Sequence, residues 1–119
     1  NLVDLRKTFG HWGEEQAAKY LLKKGYSIVA QNYRCRNGEV DLIVSKAKVL
    51  VFVEVKARKT LAFGVPAAAV TRRKQAKLRA TAWHYLGNCR EHYLWIRFDV
   101  IEIYYLNQQL TINHLINCF

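Results

Sequence analysis

Three features of the sequence predict an α/β domain with a mixed central β-sheet flanked by helices. The elements follow one another as helix, strands, helix, strands. Apolar residues recur with helical spacing in two segments and with strand-like patterning in the others. No linker rich in Gly, Ser or Pro divides the 119 residues, and the only proline is Pro66, so residues 1–119 are expected to form one domain.

The first helix is expected from about Gly13 to Lys24, where Glu14, Ala17, Ala18 and Leu21 share one face and Gly25 closes the end. Tyr26 to Tyr33 is a short strand. Glu39 to Val44 and Val49 to Lys56 are two β-rich runs around Ser45-Lys46-Ala47-Lys48, the pattern of a hairpin. After a loop from Arg58 to Val65, Pro66 suits the first turn of a long helix that runs to about Leu86. Tyr93 to Tyr105 and Leu110 to Ile116 are two further strands, joined by a turn at Asn107-Gln108-Gln109.

Nineteen Lys and Arg against nine Asp and Glu leave a net charge of +10 and a pI near 9.8. Such an excess points to a polyanionic partner, nucleic acid before anionic lipid. Strictly apolar runs reach about five residues against the ~20 that span a bilayer, so no membrane segment is expected. No apolar stretch near the N-terminus reads as a signal peptide, and the expected location is the cytoplasm. Cys35, Cys89 and Cys118 form no CxxC pair, and His11, His84, His92 and His114 share no ligand spacing. Neither a disulfide framework nor a structural zinc site is expected. Trp12, Trp83 and Trp95 read as core and rim rather than as base-stacking platforms.

The placement of the few acids is the sharper clue. Centring the hairpin turn between Ala47 and Lys48 sets Asp41 opposite Glu54 and Glu39 opposite Lys56. All four then project from one face, while Val40, Leu42, Val51, Val53 and Val55 form a wholly apolar opposite face. Opposed carboxylates repel. A hard cation such as Mg²⁺, completed by water and phosphate oxygens, would relieve that repulsion. The competing interpretation is a surface charge ladder of little energetic weight. Glu14 lies on the inward row of the first helix, whereas Glu15 aligns with Lys19 and Lys23 on the wet face. Packed against the hairpin, Glu14 would complete a three-carboxylate cluster.

The strings Gly38-Glu39-Val40-Asp41-Leu42-Ile43 and Val51-Phe52-Val53-Glu54-Val55-Lys56-Ala57-Arg58 resemble the D…ExK signature of PD-(D/E)xK nucleases. With Gly10, Gly13 and Glu14 upstream and Arg97-Phe98-Asp99-Val100 downstream, the chain resembles the bacterial YraN family. These are uncharacterised predicted nucleases related to archaeal Holliday junction resolvases. The resemblance covers Gly10 to about Val100. It implies a restriction-endonuclease-like fold and an Mg²⁺- or Mn²⁺-dependent endonuclease cleaving phosphodiester bonds in DNA, branched or junction DNA included. Asp41 and Glu54 resemble the metal-binding acids, Lys56 the lysine of ExK, and Glu14 the helix-1 glutamate of the resolvase branch. The bound ion would polarise the scissile phosphate and activate water, with Lys56 offsetting the charge that develops. The superfamily's proline is absent, since Val40 precedes Asp41.

Arg58, Lys59, Arg72, Arg73, Lys74 and Lys77 are the expected phosphate contacts, which position a nucleic acid without reading its sequence. Lys74 stands out as a cation on the row of Val70, Leu78, Ala82 and Tyr85, either snorkelling or aimed at the active edge of the sheet. Asp99 reads as structural. A homodimer would suit cleavage of both strands of a junction. The alternative function is a nucleic-acid-binding protein of the same fold that does not cut and acts within a DNA repair or uptake assembly.

Overall fold

The computed structural model describes residues 2–59 and 70–119, with side chains from Thr8 onward. The elements are α1 (Leu2–Lys23), β1 (Ser27–Cys35), β2 (Gly38–Lys46), β3 (Val49–Arg58), α2 (Arg72–Gly87), β4 (Trp95–Leu106) and β5 (Gln109–Leu115). The strands form one sheet in the order β1-β2-β3-β4-β5, parallel between β3 and β4 and antiparallel elsewhere. The result is an α/β fold with a five-stranded mixed sheet and two helices.

Helix α1 begins well before the expected Gly13. Aromatic packing holds the earlier turns: Phe9 stacks on Trp12 at 5.4 Å, and Trp12 meets the edge of Tyr105 on β4 at 5.6 Å. Gly13 lets the helix lie close on the sheet, because a Cβ there would stand 2.7 Å from the Cβ of Ala57. A glycine that reads as a helix boundary is therefore a contact point. Ala17 and Leu21 bury their face of α1 against Leu42, Val44, Val51, Val53, Ile101 and Ile103. On the other side of the sheet, Leu78 and Ala82 of α2 pack with Val40, Ile43, Leu50, Phe52 and Val100.

Helix α2 starts at Arg72, where Thr71 caps it by accepting a bond from the Lys74 amide at 3.2 Å. The expected start at Pro66 lies outside the described residues, and Thr71, in extended conformation, rules out a continuous helix through it. The hairpins turn where expected, with positive φ at Ala47 and Lys48 and again at Asn107 and Gln108.

The register runs as expected from Lys46↔Val49 to Leu42↔Val53 and then stops. Two expectations fail beyond that point. Glu39 does not sit across from Lys56: it pairs with Arg34 of β1, at 3.1 Å. Val40 packs beneath α2, not on the apolar face with Leu42 beneath α1. The reason is local. Gln31↔Leu42 and Tyr33↔Val40 bracket Asn32, which adopts φ of 51°, and the alternation of β2 breaks beside it at Asp41.

Candidate functional site

The opening at the end of the β2–β3 ladder is filled by the Asp41 side chain. Its Oδ2 accepts a bond from the Val55 amide at 2.8 Å. Asp41 thus fixes the distance between the two strands. Glu14 reaches it from the α1 side of the sheet and Glu54 from the α2 side, each within hydrogen-bonding contact of its carboxylate. Two glutamates far apart in sequence thus meet one aspartate from either side. They do not share a single sheet face, as the hairpin pattern implied.

Electrostatics at this point are unfavourable. Glu54 is 8% exposed, and its carboxyl is pushed up to about 8, first by burial and then by Asp41. Two carboxyl groups in such contact repel unless a proton or a cation lies between them. Burial and then Asp41 also raise Glu14, which stands 3.7 Å from His11 Nδ1. Asn32 opposes that rise by bonding to Glu14. Lys56 is half-buried and its ammonium is shifted down, first by burial and then by contact with Lys74. Lys74 Nζ lies 3.6 Å from Glu54 Oε2. Of the two places expected for Lys74, it takes the one at the edge of the sheet.

A cleft of about 220 Å³ opens onto Glu14 and Asp41, with His11, Asn32, Arg34 and Glu39 around them, and Glu54 lies outside its lining. Among the described residues no group of three or more His, Cys, Asp or Glu side chains is placed to hold a metal ion. The donors are hard oxygens, and Asp41 and Glu54 are the pair that could hold a cation with water and substrate oxygens completing its shell. Burial first and the Asp41 carboxylate second raise the Glu54 carboxyl, and a bound cation would oppose both.

The expected phosphate contacts divide. Arg72, Arg73 and Lys77 are exposed along the first half of α2. Arg58 turns inward, with Nε 3.5 Å from Glu102 Oε2. Lys59 lies over the Phe9 ring at 4.7 Å. Glu102 was missed from the sequence. It is fully buried, bonded by Tyr104 at 2.8 Å and Asn113 at 3.1 Å. Its signal was an acid between Ile101 and Ile103 in an apolar strand. Asn32 was missed too, and its only local signal is that asparagine tolerates the left-handed backbone better than most residues. Asp99 is structural, as its setting implied: both oxygens take bonds from Arg97, and His114 and the Asn117 amide add two more. The tryptophans depart from expectation. Trp12 is half-buried, but Trp83 and Trp95 are 75% and 71% exposed.

Relatives resemble the chain over most of its length. It is 44% identical over 115 residues to a UPF0102 protein of Syntrophomonas wolfei, covering 97% of this chain and 100% of that one. A UPF0102 protein of Caldanaerobacter subterraneus is 43% identical, with 96% of each chain covered. One from Pelotomaculum thermopropionicum is 47% identical over 102 residues, covering 86% of this chain and 85% of the relative. A match to the uncharacterised protein family UPF0102, the YraN family, runs over residues 13–103, and the chain belongs to that family.

Proposed function

We propose that this protein is a divalent-metal-dependent endonuclease of restriction-endonuclease-like fold that acts on DNA. The single observation that carries the reading is the meeting of Glu14, Asp41 and Glu54 beside two lysines, on a chain of net charge +10. A basic protein that gathers scarce acids around one partly buried aspartate gives up stability there. Hydrolysis of a phosphodiester is a chemistry that uses such a cluster. The five-stranded mixed sheet with a helix on each face is compatible with the fold.

Asp41 and Glu54 would hold Mg²⁺ or Mn²⁺, which supplies Lewis acidity toward a phosphate oxygen. The chain's own groups do the rest. Asp41 is locked in place by the Val55 amide, so its carboxylate needs little reorganisation. Lys56 lies beside Glu54 and would stabilise negative charge as it develops on the phosphoryl oxygens. Glu14 flanks Asp41 across the cleft and would orient the attacking water. Arg72, Arg73 and Lys77 would grip the backbone of the nucleic acid away from the acids.

The test is a cleavage assay on labelled duplex, single-stranded and branched DNA and on RNA, with Mg²⁺, with Mn²⁺ and with chelator. Metal-dependent cleavage that is lost in Glu54→Ala supports the reading. Tight binding of nucleic acid without cleavage of any substrate would instead assign binding alone to the same fold.

A further inference from the structure

Glu54 has a cation beside it that is not part of its own strand. Lys74, on the first turns of α2, places Nζ 3.6 Å from Glu54 Oε2. That is an ion-pair distance longer than a hydrogen bond, so the ammonium is a loose charge partner. Its side chain is 37% exposed, and its neighbours Arg72, Arg73 and Lys77 lie open along the same helix. Lys56, by contrast, is half-buried in β3, held by its own backbone next to Glu54. The two ammonium groups also touch each other, an arrangement only the surrounding carboxylates make tolerable.

We propose that Lys74 is a resident counter-cation that occupies the metal position's charge environment until a nucleic acid draws it away. The inference rests on the nuclease reading and adds a regulation to it. A divalent ion on Glu54 would sit a few ångströms from the Lys74 ammonium, and the two repel. With no nucleic acid present, Lys74 weakens metal binding. A phosphate backbone on the exposed arginines gives Lys74 a second anionic partner within reach of its flexible stem. Moving to it frees the Glu54 oxygens. Metal and nucleic acid then bind with positive coupling, which linkage makes equal in both directions. A site that loads its metal chiefly on its substrate is protected from idle metal binding.

The test is calorimetric titration of Mn²⁺ into the intact protein, alone and saturated with a short phosphorothioate duplex that resists cleavage. Without duplex, Lys74→Met is expected to bind Mn²⁺ roughly 10-fold more tightly than wild type, and Lys74→Arg to remain weak. Duplex is expected to raise the wild-type affinity severalfold and to leave that of Lys74→Met nearly unchanged. Circular dichroism checks that both variants fold. Equal Mn²⁺ affinity in wild type and Lys74→Met, or equal enhancement by duplex in both, would overturn the proposal. If that binding is nevertheless lost in Glu54→Gln, the nuclease reading stands without it. No Mn²⁺ binding to any of the proteins, with or without duplex, overturns both.

Discussion

Asp99 and Glu54 are buried acids on adjacent parallel strands, one register position apart, yet they reach opposite electrostatic states. Burial raises Asp99, but bonds from His114, Arg97 and the Asn117 amide outweigh it and hold the carboxyl below its ordinary value. Among the described residues Glu54 has no such donors. Burial and the Asp41 carboxylate raise it, and only the more distant Lys74 and Lys56 oppose them. Both acids cost desolvation, and only Asp99 has it offset by fixed bonds. Full satisfaction marks a structural clamp that ties β4 to Tyr26 and β5. Incomplete satisfaction marks a place where an external cation can contribute.

The contrast is broken most severely at the clamp. Asp99→Ala leaves the Arg97 guanidinium without its bidentate partner, and about 3–5 kcal/mol of folding stability is expected to go. Urea unfolding measures it. A loss under about 1 kcal/mol would show that the network is incidental.

Removing the site's lysine does the reverse. Lys56→Ala is expected to lower single-turnover cleavage with Mg²⁺ by about 10²-fold, while unfolding stability changes little. Nucleic-acid affinity should stay within a few fold, because Lys56 is one cation among several that face the phosphates. Equal cleavage rates in the variant and wild type would reject its catalytic role.

The pH dependence sharpens the comparison further. Glu54 binds its proton more tightly when folded, so that part of the stability is full below about pH 4.5 and is lost as pH rises toward about 8. Metal-free wild type should weaken over that interval, on the order of 1 kcal/mol per pH unit at most. Glu54→Gln should flatten the profile. Asp99 has the opposite sign: its contribution is present above pH 3.8 and fades only as acid protonates the folded carboxyl. A wild-type curve that is level from pH 5 to 8 would remove the case for a frustrated Glu54.

The smallest effect belongs to the exposed cations. Arg72→Ala with Arg73→Ala should weaken binding similarly for all sequences and lower the salt slope by about 1 for each phosphate that is no longer neutralised. An unchanged slope makes this face of α2 an idle solvated surface.

How much of this was legible depends on the range of the interaction that decides it. The basic charge, the order of the elements and the hairpin register come from composition and short-range periodicity, and these can be read within a segment. Asp41 and Glu54 were legible as neighbours because the tight turn sets the register as far as Leu42↔Val53, but the register does not continue to oppose them. The start of α2 at Arg72, capped by Thr71, was less clear, because Pro66 is an equally good local start signal. Tertiary structure alone decided that Glu14 reaches the pair from the opposite side of the sheet, that Asn32 breaks the strand beside it, and that Arg58 turns to Glu102 while Lys74 turns to Glu54. Each of these joins residues on different elements. Their partners are chosen when the helices close on the sheet and bury them, and burial is what turns an ordinary acid or lysine into a perturbed one.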